Sequence, residues 1–69
     1  MTVFRYEDSL SLRFVAAVGR PLLFLRRTVN VGLNEAVEVL DETGRARLGR
    51  VAALDDEFIT VEVLESTDG

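Results

Sequence analysis

Residues 35 to 55 read EAVEVLDETGRARLGRVAALD, two strand-like halves around a polar turn, and this stretch decides the fold. In the first half Val37 and Val39 alternate with Ala36 and Glu38. Alternation with a period of two puts the valines on one face of an extended strand. Asp41, Glu42, Thr43 and Gly44 follow. An aspartate can bond backbone amides just ahead of it, and a glycine accepts a positive φ without a Cβ clash, so the chain reverses there. Beyond the turn Arg45 and Arg47 alternate with Ala46 and Leu48, and Gly49 interrupts the pattern where a bulge or bend needs it. The segment LNEAVEVLDE also sets Leu33, Val37 and Leu40 at helical spacing with Asn34 placed to cap. Its β-branched valines and the early turn favour the strand.

The flanking segments extend the same reading. Residues 1–9 form a short strand or a loose lead, with Val3, Phe4, Arg5 and Tyr6 alternating before a polar break. Leu10 to Val18 reads as a strand with Leu10, Leu12, Phe14, Ala16 and Val18 on one face. Gly19, Arg20 and Pro21 break it, because Pro21 fixes its own φ and pushes Arg20 out of the helical region. Leu22 to Arg27 is a dense apolar run that fits a buried strand, and Thr28 to Asn34 has the composition of a loop. After an acidic turn at Asp55, Asp56 and Glu57, the last strand runs from Phe58 to Leu64. Ile59, Val61 and Val63 should face the core, with Phe58, Thr60, Glu62 and Leu64 on a half-apolar outer face. Five or six short strands at spacings of about ten residues predict an all-β domain, a small closed six-stranded barrel over residues 10–65 with an exit segment at 66–69.

The chain has 69 residues, 48% of them hydrophobic, with twelve acidic residues, eight arginines and no lysine, histidine or cysteine. A domain this small buries only about 60% of its unfolded surface, and its stability is expected near 3 to 10 kcal/mol. Without cysteine or histidine there is neither a disulfide nor a zinc site of the usual kind, and no cofactor is expected. The common general bases, thiol nucleophiles and Schiff-base amines are absent, so an enzyme is not expected. A net charge of −4 argues against nucleic acid, whose phosphates call for a net-positive face. The adjacent Arg26 and Arg27 point to opposite faces of a strand, which makes them a poor basic patch. Asp55 to Glu57 read as a solvated turn, since consecutive carboxylates rarely converge on one cation. Residues 44–51, GRARLGRV, have the two glycines of a phosphate loop but place Arg50 and Val51 where that loop needs lysine and a hydroxyl, with no helix to follow. Phe14 to Gly19 is far shorter than the roughly 20 residues that cross a bilayer. Arg5, Glu7 and Asp8 stand where a signal peptide turns apolar, so a cytoplasmic chain is expected.

In order along the chain, RPLLFL, VGLNEAVEV, ETGRARLGRV and ITVEVLESTDG resemble the N-terminal β-barrel of the non-catalytic B-type protein of V-type and A-type rotary ATPases. The resemblance covers Tyr6 to Gly69. It implies a barrel at the top of the ATPase head that carries no catalysis and links neighbouring subunits, with an A-subunit-like barrel as partner. The interface residues expected on this basis are Arg50, Phe58, Thr60, Glu62 and Leu64. The chain departs from the pattern of that family at three positions: Arg20 replaces a glycine, Arg50 a glutamine and Glu62 a glutamine. If Arg50 and Glu62 lie on neighbouring strands they can pair across the sheet, worth about 0.2 to 1 kcal/mol. Two rival expectations are a free-standing SH3-like module that binds a peptide by strand addition and an oligonucleotide-binding barrel, which needs exposed aromatics over a basic groove. Homo-oligomerisation is a further expectation, and self-assembly would count against the SH3-like reading.

Overall fold

A computed structural model describes residues 1–15 and 19–64. Six strands form one sheet: β1 (Val3–Arg5), β2 (Ser11–Val15), β3 (Arg20–Arg26), β4 (Ala36–Leu40), β5 (Ala46–Leu54) and β6 (Phe58–Val63). Their order across the sheet is β1-β4-β5-β6-β3-β2, with β1 parallel to β4 and every other pair antiparallel. A single 3₁₀ turn at Tyr6–Asp8 leads from β1 toward β2. Among the described residues no helix is long and apolar enough to cross a membrane.

The all-β expectation holds, but the closed barrel does not. The sheet curls through 197° and stays open, with β1 and β2 as its two edges. Strand β1 is only three residues long and ends in the 3₁₀ turn, so it supplies too short a ladder to meet β2.

The hairpin of β4 and β5 forms as its sequence predicts, but the centre of the sheet is the β5–β6 pair, and β3 and β2 add on through β6 rather than through the hairpin. Asp41 Oδ1 accepts hydrogen bonds from the backbone N–H of Thr43 and of Arg45 and from Thr43 Oγ1, and Gly44 takes φ +83°. The helical alternative for residues 33–42 is thereby excluded. Val37 lies opposite Gly49 and Val39 opposite Arg47, so the inward face of β5 is Arg47, Gly49 and Val51, while Leu48 points outward and is half exposed. Gly49 is not the bend expected of it; the register shift falls between Val51 and Ala53. Its role is close approach. A Cβ there would stand 2.8 Å from Val39 Cγ2, 3.0 Å from Val61 Cγ1 and 3.2 Å from Val37 Cγ2.

The core fills the inner face. Leu23, Val37, Val39, Val51, Ile59 and Val61 are fully buried, with Phe4, Leu25, Val31 and Val63 nearly so. Cross-strand pairs build it directly: Leu23 faces Val61, Leu25 faces Ile59, and Val51 faces Val61 from the other side. Of the loop valines and leucine expected to tuck down, only Val31 does; Val29 and Leu33 are exposed. Leu10, Leu12 and Phe14, expected to share an apolar face, are exposed too. The part of that strand at residues 16–18 and the exit segment at 65–69 lie outside the described residues.

Candidate interaction face

Alternation along β6 sends Ile59, Val61 and Val63 into the core and Phe58, Thr60 and Glu62 to the outer face, as the sequence suggests. Glu62 is nevertheless one of the most buried residues on that face, at 2% exposure. A buried carboxylate must be paired to stay charged. Arg50 lies directly opposite on β5 and donates from its Nη2 to Glu62 Oε1 at 2.6 Å. Arg20, at the start of β3, donates from its Nη1 to Oε2 at 2.9 Å. Each carboxylate oxygen therefore has its own guanidinium, and these two bonds hold the Glu62 carboxyl below its ordinary pKa against the opposing effect of burial.

The three positions at which the chain departs from the pattern it resembles thus form one cluster. The sequence suggests the pairing of Arg50 with Glu62, whereas Arg20, 42 residues away, joins by a fold contact that no spacing encodes. Both arginine side chains remain almost half exposed, so the cluster presents two fixed guanidinium groups to solvent.

The rest of the outer face is built around two aromatic rings. Phe58 begins its strand opposite Arg26, whose guanidinium carbon lies 6.0 Å from the ring centre. Arg13 on β2 stands 5.7 Å from the ring of Phe24, which lies opposite Thr60. Leu64 follows β6 half buried, its N–H donating to the carbonyl of Leu48. Arg13, Arg20, Arg26 and Arg50 therefore frame one sheet face, where Glu62 is the acidic residue at its centre. Arg27 turns away and donates from Nη1 to the carbonyl of Asp55.

The hairpin tip carries a second paired carboxylate. Asp41 Oδ2 accepts from Arg47 Nε at 2.9 Å, while Oδ1 takes the three turn donors. The side-chain bond from Thr43, then that from Arg47, holds its pKa far below the carboxylate range. Sequence reasoning found the turn but not Arg47's return to it, which depends on the inward face of β5.

Both buried carboxylates are favoured in the charged form by the donors around them. The residues 44–51 that echo a phosphate loop lie in the hairpin and strand β5, and among the described residues no helix follows them. Asp55 caps its own turn, its Oδ1 accepting from the N–H groups of Glu57 and Phe58. Among the described residues no cluster of acidic, histidine or cysteine side chains could hold a metal ion. The clefts are shallow; one of about 280 Å³ lies between Val3, Phe4, Asp8, Leu25 and Arg26. What the structure offers is a small all-β module with a charged, partly aromatic outer face.

Comparison with known proteins gives that module its relatives. The chain is related to the B-type proteins of A-type and V-type ATP synthases, as its motifs suggest. It is 34% identical over 55 residues to the B-type protein of the A-type ATP synthase of Methanothrix thermoacetophila and 31% identical over 55 residues to the V-type ATP synthase beta chain of Thermus thermophilus. The corresponding A-type ATP synthase protein of Methanosarcina acetivorans is 33% identical over the same length. Each match covers 80% of this chain but only 12% of the relative. The chain therefore corresponds to a short part of those proteins. No family model matches it, and no solved structure does.

Proposed function

We propose that the chain is a non-catalytic assembly module of a rotary ATPase head, in which the outer face of β5 and β6 meets an A-subunit-like barrel of a neighbouring subunit. The observation that carries this reading is the relationship to the B-type ATP synthase proteins over most of the chain. The outer face supports it: Arg50 pairs with Glu62, and Phe58 and Thr60 lie further along the same face of β6, with Leu64 just past its end, an aromatic and arginine content that protein interfaces favour. In this reading Glu62 does not touch the partner. It holds Arg50 and Arg20 in place, so that the guanidinium groups are already oriented when the partner arrives. The module works at the cytoplasmic side of the membrane, in the head, and needs no cofactor.

Sedimentation equilibrium of the purified chain mixed with the N-terminal domain of an A subunit tests the reading. The expected result is a heterologous complex weakened at least tenfold by Arg50→Glu or by Phe58→Asp. A mixture that sediments as two independent species at high concentration would contradict it.

A further inference from the structure

On the inner face of the sheet the exposed apolar side chains lie at one edge, whereas Val3, Leu48 and Phe58 are exposed elsewhere. Leu10, Leu12 and Phe14 are 55%, 47% and 68% exposed. Leu12 lies opposite the buried Leu23, and Phe14 opposite Pro21, so the three continue the inner, core-bearing face past its last covered strand. Among the described residues strand β2 pairs on one side only. The other edge is protected differently: β1 has three residues, and its inward Phe4 is buried. An edge that is longer, apolar on its inner face and free along its backbone is a template for another strand.

We propose that this edge is covered by the β2 strand of a second copy of the chain, in antiparallel pairing centred on Leu12. The proposal rests on the charge and apolar pattern of the strand and is independent of the ATPase reading. About a twofold axis at Leu12, Leu12 faces its own equivalent, Leu10 faces the partner copy's Phe14, and Ser11 faces the partner copy's Arg13. Every inner side chain then meets an apolar one, and each arginine meets a serine. Neighbouring registers fail. Centring on Arg13 sets two like charges directly opposite each other, which destabilises a sheet. Centring on Ser11 places Phe14 against Asp8. An axis between two residues would join the inner face of one copy to the outer face of the other, because side chains alternate with a period of two. Arg13 is already drawn over Phe24 on the outer face, which leaves the inner face free of charge along the strand. The area is well short of the ~1,600 Å² of a standard interface, so a weak dimer is expected, with a Kd of roughly 0.01 to 1 mM.

The chain contains no cysteine, so single cysteines report the register without background. Leu12→Cys should form a disulfide-linked dimer on mild oxidation, since directly opposed strand residues fall within disulfide reach. Leu10→Cys and Phe14→Cys should each cross-link poorly alone and readily when mixed. Ser11→Asp, which gives both copies of Arg13 an opposite charge, should tighten the dimer ~2- to 30-fold in sedimentation equilibrium. The site is exposed, so these variants keep the fold, which circular dichroism verifies. Cross-linking of Leu12→Cys no faster than of Leu33→Cys, an exposed loop control, would overturn the proposal. Self-pairing of Leu10→Cys, or tight binding of an extended peptide in place of a second copy, would overturn it as well.

Discussion

The two faces of the sheet solve the same problem, covering strands in a small domain, by opposite means. On the inner face, Leu23, Val37, Val39, Val51, Ile59 and Val61 are fully buried, and Val37, Val39 and Val61 close around Gly49 with no room for one further methyl group. The outer face is covered instead by long charged side chains: Arg20 and Arg50 over Glu62, Arg13 over Phe24 and Arg26 over Phe58. Arginine stems cover apolar surface while their heads stay in water. The difference places most of the packing stability on the inner face and leaves the outer face to the recognition proposed for it.

The strongest way to break that division is to truncate one residue on each side. Leu23→Ala, which empties a fully buried position, should cost about 2 to 5 kcal/mol, much of the stability of a chain this size. Leu48→Ala on the outer face should cost no more than about 1 kcal/mol. Urea denaturation measures both, and equal losses would show that the faces are not distinct. Gly49→Ala sharpens the comparison because it adds atoms rather than removing them. Its new methyl group meets branched valine side chains that cannot swing away, so a loss of about 1 to 3 kcal/mol is expected.

Outer-face contacts should be smaller and sensitive to salt. Glu62→Gln should cost about 0.5 to 2 kcal/mol at low ionic strength, less as salt is added, while the loss from Leu23→Ala stays unchanged. A double-mutant cycle between Arg50 and Glu62 should show about 0.2 to 1 kcal/mol of coupling, and none would mean that the pair is only a geometric neighbour. Acid provides the mildest test. Asp41 and Glu62 both titrate in the folded chain below their unfolded values of 3.8 and 4.5. Their contribution is therefore present above those values and is lost as pH falls through and below them. Thermal melts from pH 6 down to pH 2 should decline across that range, less steeply for Glu62→Gln than for the natural chain.

How much of this was legible follows from where the information lies. The β4–β5 hairpin was readable because Asp41 and Gly44 act on their immediate neighbours, and the inner face of β6 because Ile59, Val61 and Val63 alternate. Barrel closure was not, since strand alternation says which face is buried but not whether two distant edges meet. Gly49 was misassigned for a related reason: a glycine that bends a strand and one that lets valines approach look alike until the opposing strands are in place. At the candidate site, the pairing of Arg50 with Glu62 followed from strand adjacency, whereas Arg20 and Arg47 reach their carboxylates through the packing of distant elements. The exposure of Leu10, Leu12 and Phe14 was hidden because an apolar stripe reads the same whether or not a strand covers it.

The most direct test of the outer face as the recognition surface is a residue-resolved one. The isotope-labelled chain is titrated with the N-terminal domain of an A subunit and followed by its amide resonances. Perturbations centred on Arg50, Phe58, Thr60, Glu62 and Leu64, with the inner-face valines of β4 unmoved, are the expected result. Perturbations confined to β1 and the loop at Thr28–Asn34, or none at a saturating concentration of partner, would contradict it.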